Sequence, residues 1–266
     1  MKTLAFLGHP SEDRYCFNWC IDGQELGYQT KMNDISGLTR NDIIIVDKKT
    51  ELDLTTSSAK KILFFPDVIR TEELSSPYLN ERTDLLAYMA DFVDIIVMPP
   101  NKEVMAYARK ITGKEVYPFT FGVYRQYFSY FPAKFPKKDI QLGYCWSPFG
   151  NRRDDLAKSL RAKRISAFGK DMFVALSKCS FALNGHFTLL LNNEQRLTEI
   201  PLACTIPVSE PLSSPELLSD LYWLPVEEYP KKFSRKEYLE IIKNNAQAVR
   251  HKYNSLESLR MILSYL

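Results

Sequence analysis

Short runs of apolar and β-branched residues recur along the chain, separated by stretches whose apolar positions fall three and four apart. Thr3–Leu7, Asp42–Val46, Lys61–Phe65, Asp94–Met98 and Glu115–Tyr117 read as strands. Gly8-His9-Pro10 makes a turn after the first, Pro66-Asp67 ends the third, and Pro99-Pro100 stops the fourth. Between them, Thr83–Phe92 puts Leu85, Leu86, Met89 and Phe92 on one helical face, and Val104–Ile111 reads as a second helix. Strands that are apolar throughout are buried on both faces, so their alternation with helices predicts a parallel, doubly wound α/β sheet.

Tyr130–Lys138 holds two prolines and three lysines and reads as a linker, after which the rhythm restarts. Strands are predicted at Asp139–Tyr144, Arg164–Phe168, Cys179–Leu183, Thr205–Val208 and Tyr222–Pro225. Helices are predicted at Arg152–Ala162, Asp171–Lys178, Glu194–Ala203, Ser234–Tyr253 and Ser255–Leu266, with a polar turn at Ser147–Asn151. Ser234 with Glu237 three residues on forms a capping box. The expected architecture is two facing Rossmann-like domains, residues 1–135 and 136–266, with a cleft between them and the final helix crossing back. Ligands of such sheets bind beyond the carboxyl ends of the strands. Attention therefore falls on Gly8-His9, Pro66-Asp67, Trp146 to Arg153, Asn184 to His186 and the turn before Arg196.

Composition narrows the class. With 266 residues, 45% hydrophobic and 25% charged, the chain is neither disordered nor fibrous, and two Rossmann halves fit only if stripped of insertions. No apolar run approaches the ~20 residues of a membrane helix. Met1–Gly8 is too short in apolar residues for a secretory signal, so a cytoplasmic protein without membrane attachment is expected. Cys16, Cys20, Cys145, Cys179 and Cys204 are an odd, scattered set without matching histidines, which reads as reduced thiols rather than a metal or disulfide site.

The net charge of +3 hides an uneven distribution: Asn101 to Lys170 holds 15 Lys/Arg against 5 Asp/Glu, which leaves −7 for the rest. Lys134, Lys137 and Lys138 lie there, interleaved with Tyr124, Tyr127, Phe128, Tyr130, Phe131 and Phe135. Such a stripe can hold a phosphate backbone and stack bases. Equally, the aromatics can be core and the basic residues a solvated face.

Four groups could carry chemistry. Asp67 opens Asp67-Val68-Ile69-Arg70 at a strand end, where it is either a general base kept ionised by Arg70 or a turn residue. Arg152 and Arg153 begin a helix after a turn, as phosphate-binding residues or as a basic face. Arg196 and Glu199 share a helical face, as a surface pair or as ligands of a phosphate and a ribose. His9 and His186 follow strands, whereas His251 is expected on an exposed helix face. No Gly-x-x-x-x-Gly-Lys, Gly-x-Gly-x-x-Gly or nucleophile–histidine grouping is present, which argues against NTPase, dehydrogenase and hydrolase readings.

Taken in order, these segments resemble the bacteriophage DNA β-glucosyltransferases, enzymes of the GT-B class, and more loosely the CgeB-type GT-B glycosyltransferases. Lys61–Arg70 resembles the segment that carries the catalytic aspartate, which makes Asp67 the implied base. Leu142-Gly143-Tyr144, with Asn151-Arg152, is similar to the strand–turn–arginine segment that holds the donor diphosphate. Arg196-Leu197-Thr198-Glu199 is similar to the helix whose arginine meets the diphosphate and whose glutamate meets the ribose. The turn is bulkier here (Tyr144, Cys145, Trp146), its second arginine has no match unless Arg153 substitutes, and Cys204 stands where a glycine follows the helix. Leu191 occupies the position eight before Glu199, so the paired glutamates of many retaining enzymes are missing. What the resemblance implies is an inverting transfer from a UDP-sugar, with no metal or tightly bound cofactor, by a monomer. A hydroxymethylated pyrimidine in double-stranded DNA is the favoured acceptor, with Lys134, Lys137 and Lys138 on the DNA and the host cytoplasm as location. A surface or spore glycan acceptor, or a silent module that binds nucleic acid, are the competing readings.

Overall fold

The computed structural model describes residues 1–266 except 12–13, 48–52, 133, 147–151, 168 and 187–194. The chain divides into two compact units, Met1–Thr120 with Ser255–Leu266, and Phe121–Asn254.

In the first unit, β1 (Thr3–Leu7), α1 (Tyr15–Glu25), β2 (Gln29–Met32), β3 (Ile43–Asp47), β4 (Lys60–Phe64), α2 (Pro77–Ala90), β5 (Ile95–Met98), α3 (Lys102–Thr112) and β6 (Glu115–Pro118) follow one another. The sheet order is β2-β1-β3-β4-β5-β6 and every pairing is parallel. The central strands are buried along their length, as expected where helices cover both faces. Two elements escape the hydrophobic pattern. The inner face of α1 includes Cys16, Asn18, Asp22 and Gly23, all buried, so burial does not register as an apolar stripe. β2 is a polar edge strand, Gln29-Thr30-Lys31-Met32. α2 starts six residues before the expected Thr83, because Ser76 caps it and Pro77 takes the first turn, where a missing N–H costs nothing.

The second unit repeats the plan with β7 (Ile140–Tyr144), α4 (Arg152–Ser159), β8 (Lys163–Arg164), α5 (Gly169–Leu176), β9 (Cys179–Asn184), α6 (Arg196–Glu199), β10 (Ile206–Ser209), β11 (Leu224–Pro225) and α7 (Arg235–His251). Its sheet, β11-β10-β9-β7-β8, is also all parallel. Counted within each unit, both sheets run second strand, first, third, fourth, fifth, the flavodoxin-like order. The strand expected at Arg164–Phe168 is only Lys163–Arg164, a solvent-exposed edge. The helix expected over 194–203 tightens into a 3-10 turn at Ile200–Ala203, because Pro201 has no N–H to donate. Cys204 ends that turn in the left-handed region at φ 55°, a conformation suited to glycine. The predicted capping box of α7 is present, with Ser234 and Glu237 bonded reciprocally.

The chain passes into the second unit after Thr120, not at residue 135 as expected from the prolines. Val123 donates its N–H to Tyr253 O at 2.9 Å, and Tyr127 packs on Phe173 of α5 at 5.1 Å. The expected linker is therefore part of the second unit.

The final helix, α8 (Ser255–Leu263), completes the first unit. Trp19 on α1 is fully buried among Tyr15, Phe64 and Phe119, with ring centroids 4.9–5.8 Å away. Its indole N–H donates to Ser255 O at 3.0 Å, and Ser258 Oγ donates to Thr120 O at 2.9 Å. Trp19→Ala is expected to destabilise the protein by about 3–5 kcal/mol through the cavity it leaves. Trp19→Phe keeps much of the packing but loses the indole bond to Ser255 O, an expected loss of about 0.5–1.5 kcal/mol for the hydrogen bond. Urea unfolding followed by circular dichroism measures both.

Candidate functional site

Each sheet reverses its strand order between its first and third strands, and ligands of such sheets settle beyond the carboxyl ends there. In the second unit those ends belong to β7 and β9. The turn expected at Ser147–Asn151 lies outside the described residues, as does Leu191, but the residues around them are placed.

Arg152 opens α4 and reaches the end of β10, where its two terminal nitrogens fork onto the carboxylate of Glu210, one contact being 2.9 Å. Glu210 is buried and also accepts the His186 backbone N–H at 2.8 Å. His186 is itself fully buried, with Nε2 2.8 Å from Pro211 O, which fits an Nε2–H donor. Arg153 takes a different course and lies 5.2 Å over the Trp146 ring. That indole donates to Asp154 Oδ1 at 2.9 Å.

Arg196 and Glu199 form an ion pair across one turn of α6, and Gln195 Nε2 donates to the second Glu199 oxygen at 2.9 Å. Burial raises the Glu199 carboxyl above its ordinary range, while Arg196 and Gln195 pull it back. Cys145, at the end of β7, feels both partners: burial raises its thiol, with Arg196 opposing and Glu199 reinforcing. The ends of β7 and α6 thus share one electrostatic neighbourhood. Gly143 stands apart from it. It sits within β7, where an added Cβ would lie 2.6 Å from Cys179 Sγ and 2.9 Å from Ile165 Cδ1. Close packing between neighbouring strands requires this glycine.

In the first unit, Asp67 follows β4 on a loop pinned to α2 by Thr83, whose hydroxyl accepts Arg70 N–H at 3.2 Å. The cation paired with Asp67 is Arg82, Nε to Oδ2 3.4 Å, and the Arg82 guanidinium lies 5.1 Å over the Tyr78 ring. Arg70 points elsewhere, 5.5 Å over Tyr107, so the cation beside Asp67 is Arg82 and not the expected Arg70. Tyr78 and Arg82 are four apart on α2, one face of a helix whose first turns the apolar pattern does not reveal. His9 is exposed after β1, with Nδ1 3.0 Å from Ser11 Oγ.

No protein-family model matches the sequence, and no curated protein matches it. Solved structures do. A DNA-modifying β-glucosyltransferase, determined with and without uridine diphosphoglucose, has a TM-score of 0.61 at 14% identity, covering 99% of this chain and 99% of its own. A trehalose-6-phosphate synthase studied for glycosyl transfer with retention has a TM-score of 0.57 at 11% identity, covering 97% and 79%. An E. coli trehalose-6-phosphate structure bound with UDP-2-fluoroglucose has a TM-score of 0.54 at 10% identity, covering 94% and 76%.

The fold is that of the GT-B glycosyltransferases.

Within that GT-B fold the basic stretch splits into two kinds of residue. Tyr124 and Tyr127 are buried, so these aromatics are core rather than a stacking face. Lys134 and Lys137 are exposed, as is Phe135. Lys138 is turned inward, its ammonium donating to Ser177 O at 2.8 Å and Cys204 O at 2.6 Å, which corrects its assignment to a DNA surface. All five cysteines are free. Among the described residues no three His, Cys, Asp or Glu side chains cluster as metal ligands, and no helix is long and apolar enough to cross a membrane.

Burial lowers the Lys138 pKa from 10.5 to about 8. The folded state therefore holds this proton less tightly than the unfolded chain, and unfolding takes up a proton between those values. The contribution of Lys138 to stability is expected to be constant below about pH 8 and to rise as pH climbs from 8 towards 10.5. The difference in unfolding free energy between wild type and Lys138→Met, measured across that window, should move in favour of wild type.

Proposed function

We propose that the chain is a UDP-sugar-dependent glycosyltransferase that inverts the anomeric centre, with glucose as the favoured sugar. The observation that carries this reading is the Arg196–Glu199 pair, held on the helical turn that follows β9 in a GT-B fold. A buried carboxylate that already spends one oxygen on Gln195 and the other on Arg196 is rigid, and it accepts the two hydroxyls of a ribose without reorganising. Arg196 and Arg152 supply the cationic groups that oppose charge on a departing diphosphate. Arg153, stacked on Trp146, is a further cation at the head of α4.

In the proposed reaction the acceptor hydroxyl oxygen attacks the anomeric carbon as its proton passes to Asp67. The bond from that carbon to the diphosphate oxygen breaks, its electron pair leaving with UDP. Asp67 is suited to the base role by its place after a strand end and by the Arg82 guanidinium beside it, Nε to Oδ2 3.4 Å. His9, exposed at the end of β1, is a candidate for binding the sugar or the acceptor.

The favoured acceptor is hydroxymethylated pyrimidine DNA. The exposed Lys134, Phe135 and Lys137 support this reading, as does the fold shared along its whole length with a DNA-modifying β-glucosyltransferase. A duplex acceptor requires the modified base to be flipped out of the stack. A monomer in the cytoplasm, the host's if the chain is phage-encoded, fits this reading.

With UDP-glucose and hydroxymethylated duplex DNA, Asp67→Asn is expected to lower transfer by about 10²–10⁴-fold while leaving UDP affinity unchanged. Glu199→Gln should weaken UDP instead. Absence of UDP release by wild type on every acceptor, or full activity in Asp67→Asn, overturns the proposal. The anomer of the product, read by NMR, separates inversion from retention. Replacing both Lys134 and Lys137 by Gln should flatten the slope of log affinity for DNA against log salt, by about one to two in magnitude. A protein that transfers glucose to a glycan and ignores DNA moves the acceptor to the glycan class.

A further inference from the structure

We infer that Glu210 is the positioning residue that presents Arg152 to the donor diphosphate; this rests on the donor-binding reading of Arg152 given above. Glu210 lies just past β10, two strands away from the arginine it holds, and nothing in its sequence neighbourhood marks it for chemistry. Three donors converge on its carboxylate: both terminal nitrogens of Arg152 and the backbone N–H of His186. The carboxylate side chain is 7% exposed, whereas the Arg152 side chain is 38% exposed. The pair therefore has an anchored end and an open end. A bidentate fork fixes the plane of the guanidinium, yet each terminal nitrogen keeps a second N–H and Nε keeps its own. Those remaining donors can serve an anion without the arginine having to give up Glu210.

The neighbours explain why the anchor is firm. Asn184 Nδ2 donates to Ser209 Oγ at 3.0 Å and Ser209 Oγ donates to Glu210 O at 2.8 Å, which ties the end of β9 to the end of β10. His186 grips the same segment twice, through its N–H to Glu210 and its ring to Pro211 O. A flexible arginine loses rotamer freedom when it binds phosphate, and a partner that has already ordered it removes that cost.

The test measures UDP affinity by calorimetry and uridine affinity by ligand-observed NMR, on intact protein. Glu210→Gln keeps the size of the side chain but replaces one acceptor oxygen by a donor that opposes the fork. It is expected to weaken UDP by about 3- to 10-fold and leave uridine unchanged. Arg152→Lys, at a more exposed position, keeps the charge but loses the fork, and should show the same loss. In an Arg152→Ala background, Glu210→Gln should change UDP affinity no further. Wild-type affinity or tighter in Glu210→Gln overturns the inference, since Glu210 is then a bystander or a competitor of the phosphate. So does an equal loss for uridine, which marks general damage, or wild-type affinity in Arg152→Lys. Failure of wild type to bind UDP at all removes the donor reading and this inference with it, a result distinct from each of the others.

Discussion

A parallel strand can rejoin its sheet only by a crossover over one face, so every strand of such a sheet delivers its carboxyl end to the same edge. This constraint governs the whole molecule. Both units are all parallel, and in both the strand order reverses between the first and third members. The connections that follow those ends hold Asp67, Arg152, Arg196, Glu199 and Glu210. The central strands are apolar and buried on both faces, which leaves their carboxyl ends as the place where charge gathers.

Charge at such an edge has to be held. Burying a carboxylate alone is costly, so each acid there comes with a cation or a set of N–H donors. Asp67 has Arg82, Glu199 has Arg196 with Gln195, and Glu210 has Arg152 with a backbone amide. The three pairs are built alike: the acid is the more buried partner and the arginine the more open one. Lys138 solves the opposite problem, closing the carbonyl ends of two helical turns with its ammonium. Its charge serves the fold, which is why a tally of basic residues overstates the surface open to a polyanion.

Much of the fold was legible because parallel strands carry a loud signal. Ile43–Val46 and Ile95–Val97 are unbroken β-branched runs, and the Ser234–Glu237 box marks the head of α7 without help from tertiary structure. α1 was silent because its buried face is built from Asn18, Asp22 and Gly23 as well as Trp19, and the edge strand β2 because it is polar. In the site, Arg196 with Glu199 was legible because the pair is local, i to i+3. Arg82 and Glu210 were not. Arg82 meets Asp67 between a helix and the loop before it, 15 positions away, and Glu210 meets Arg152 across two strands, 58 positions away, where only the sheet order brings them together. Lys138 is illegible for the same reason: the backbone carbonyls that hold its ammonium, those of Ser177 and Cys204, are remote in the chain.

The Trp19–Ser255 bond joins residues 236 positions apart. On a ribosome, the first unit waits for α8 until all of the second unit has been made, while the contiguous second unit has everything it needs sooner. Order of synthesis and order of completion are thus inverted: the half that emerges first is sealed last. During that interval the aromatic cluster of Tyr15, Trp19, Phe64 and Phe119 lacks its last cover, and the nascent chain is most exposed to misassociation within the first unit.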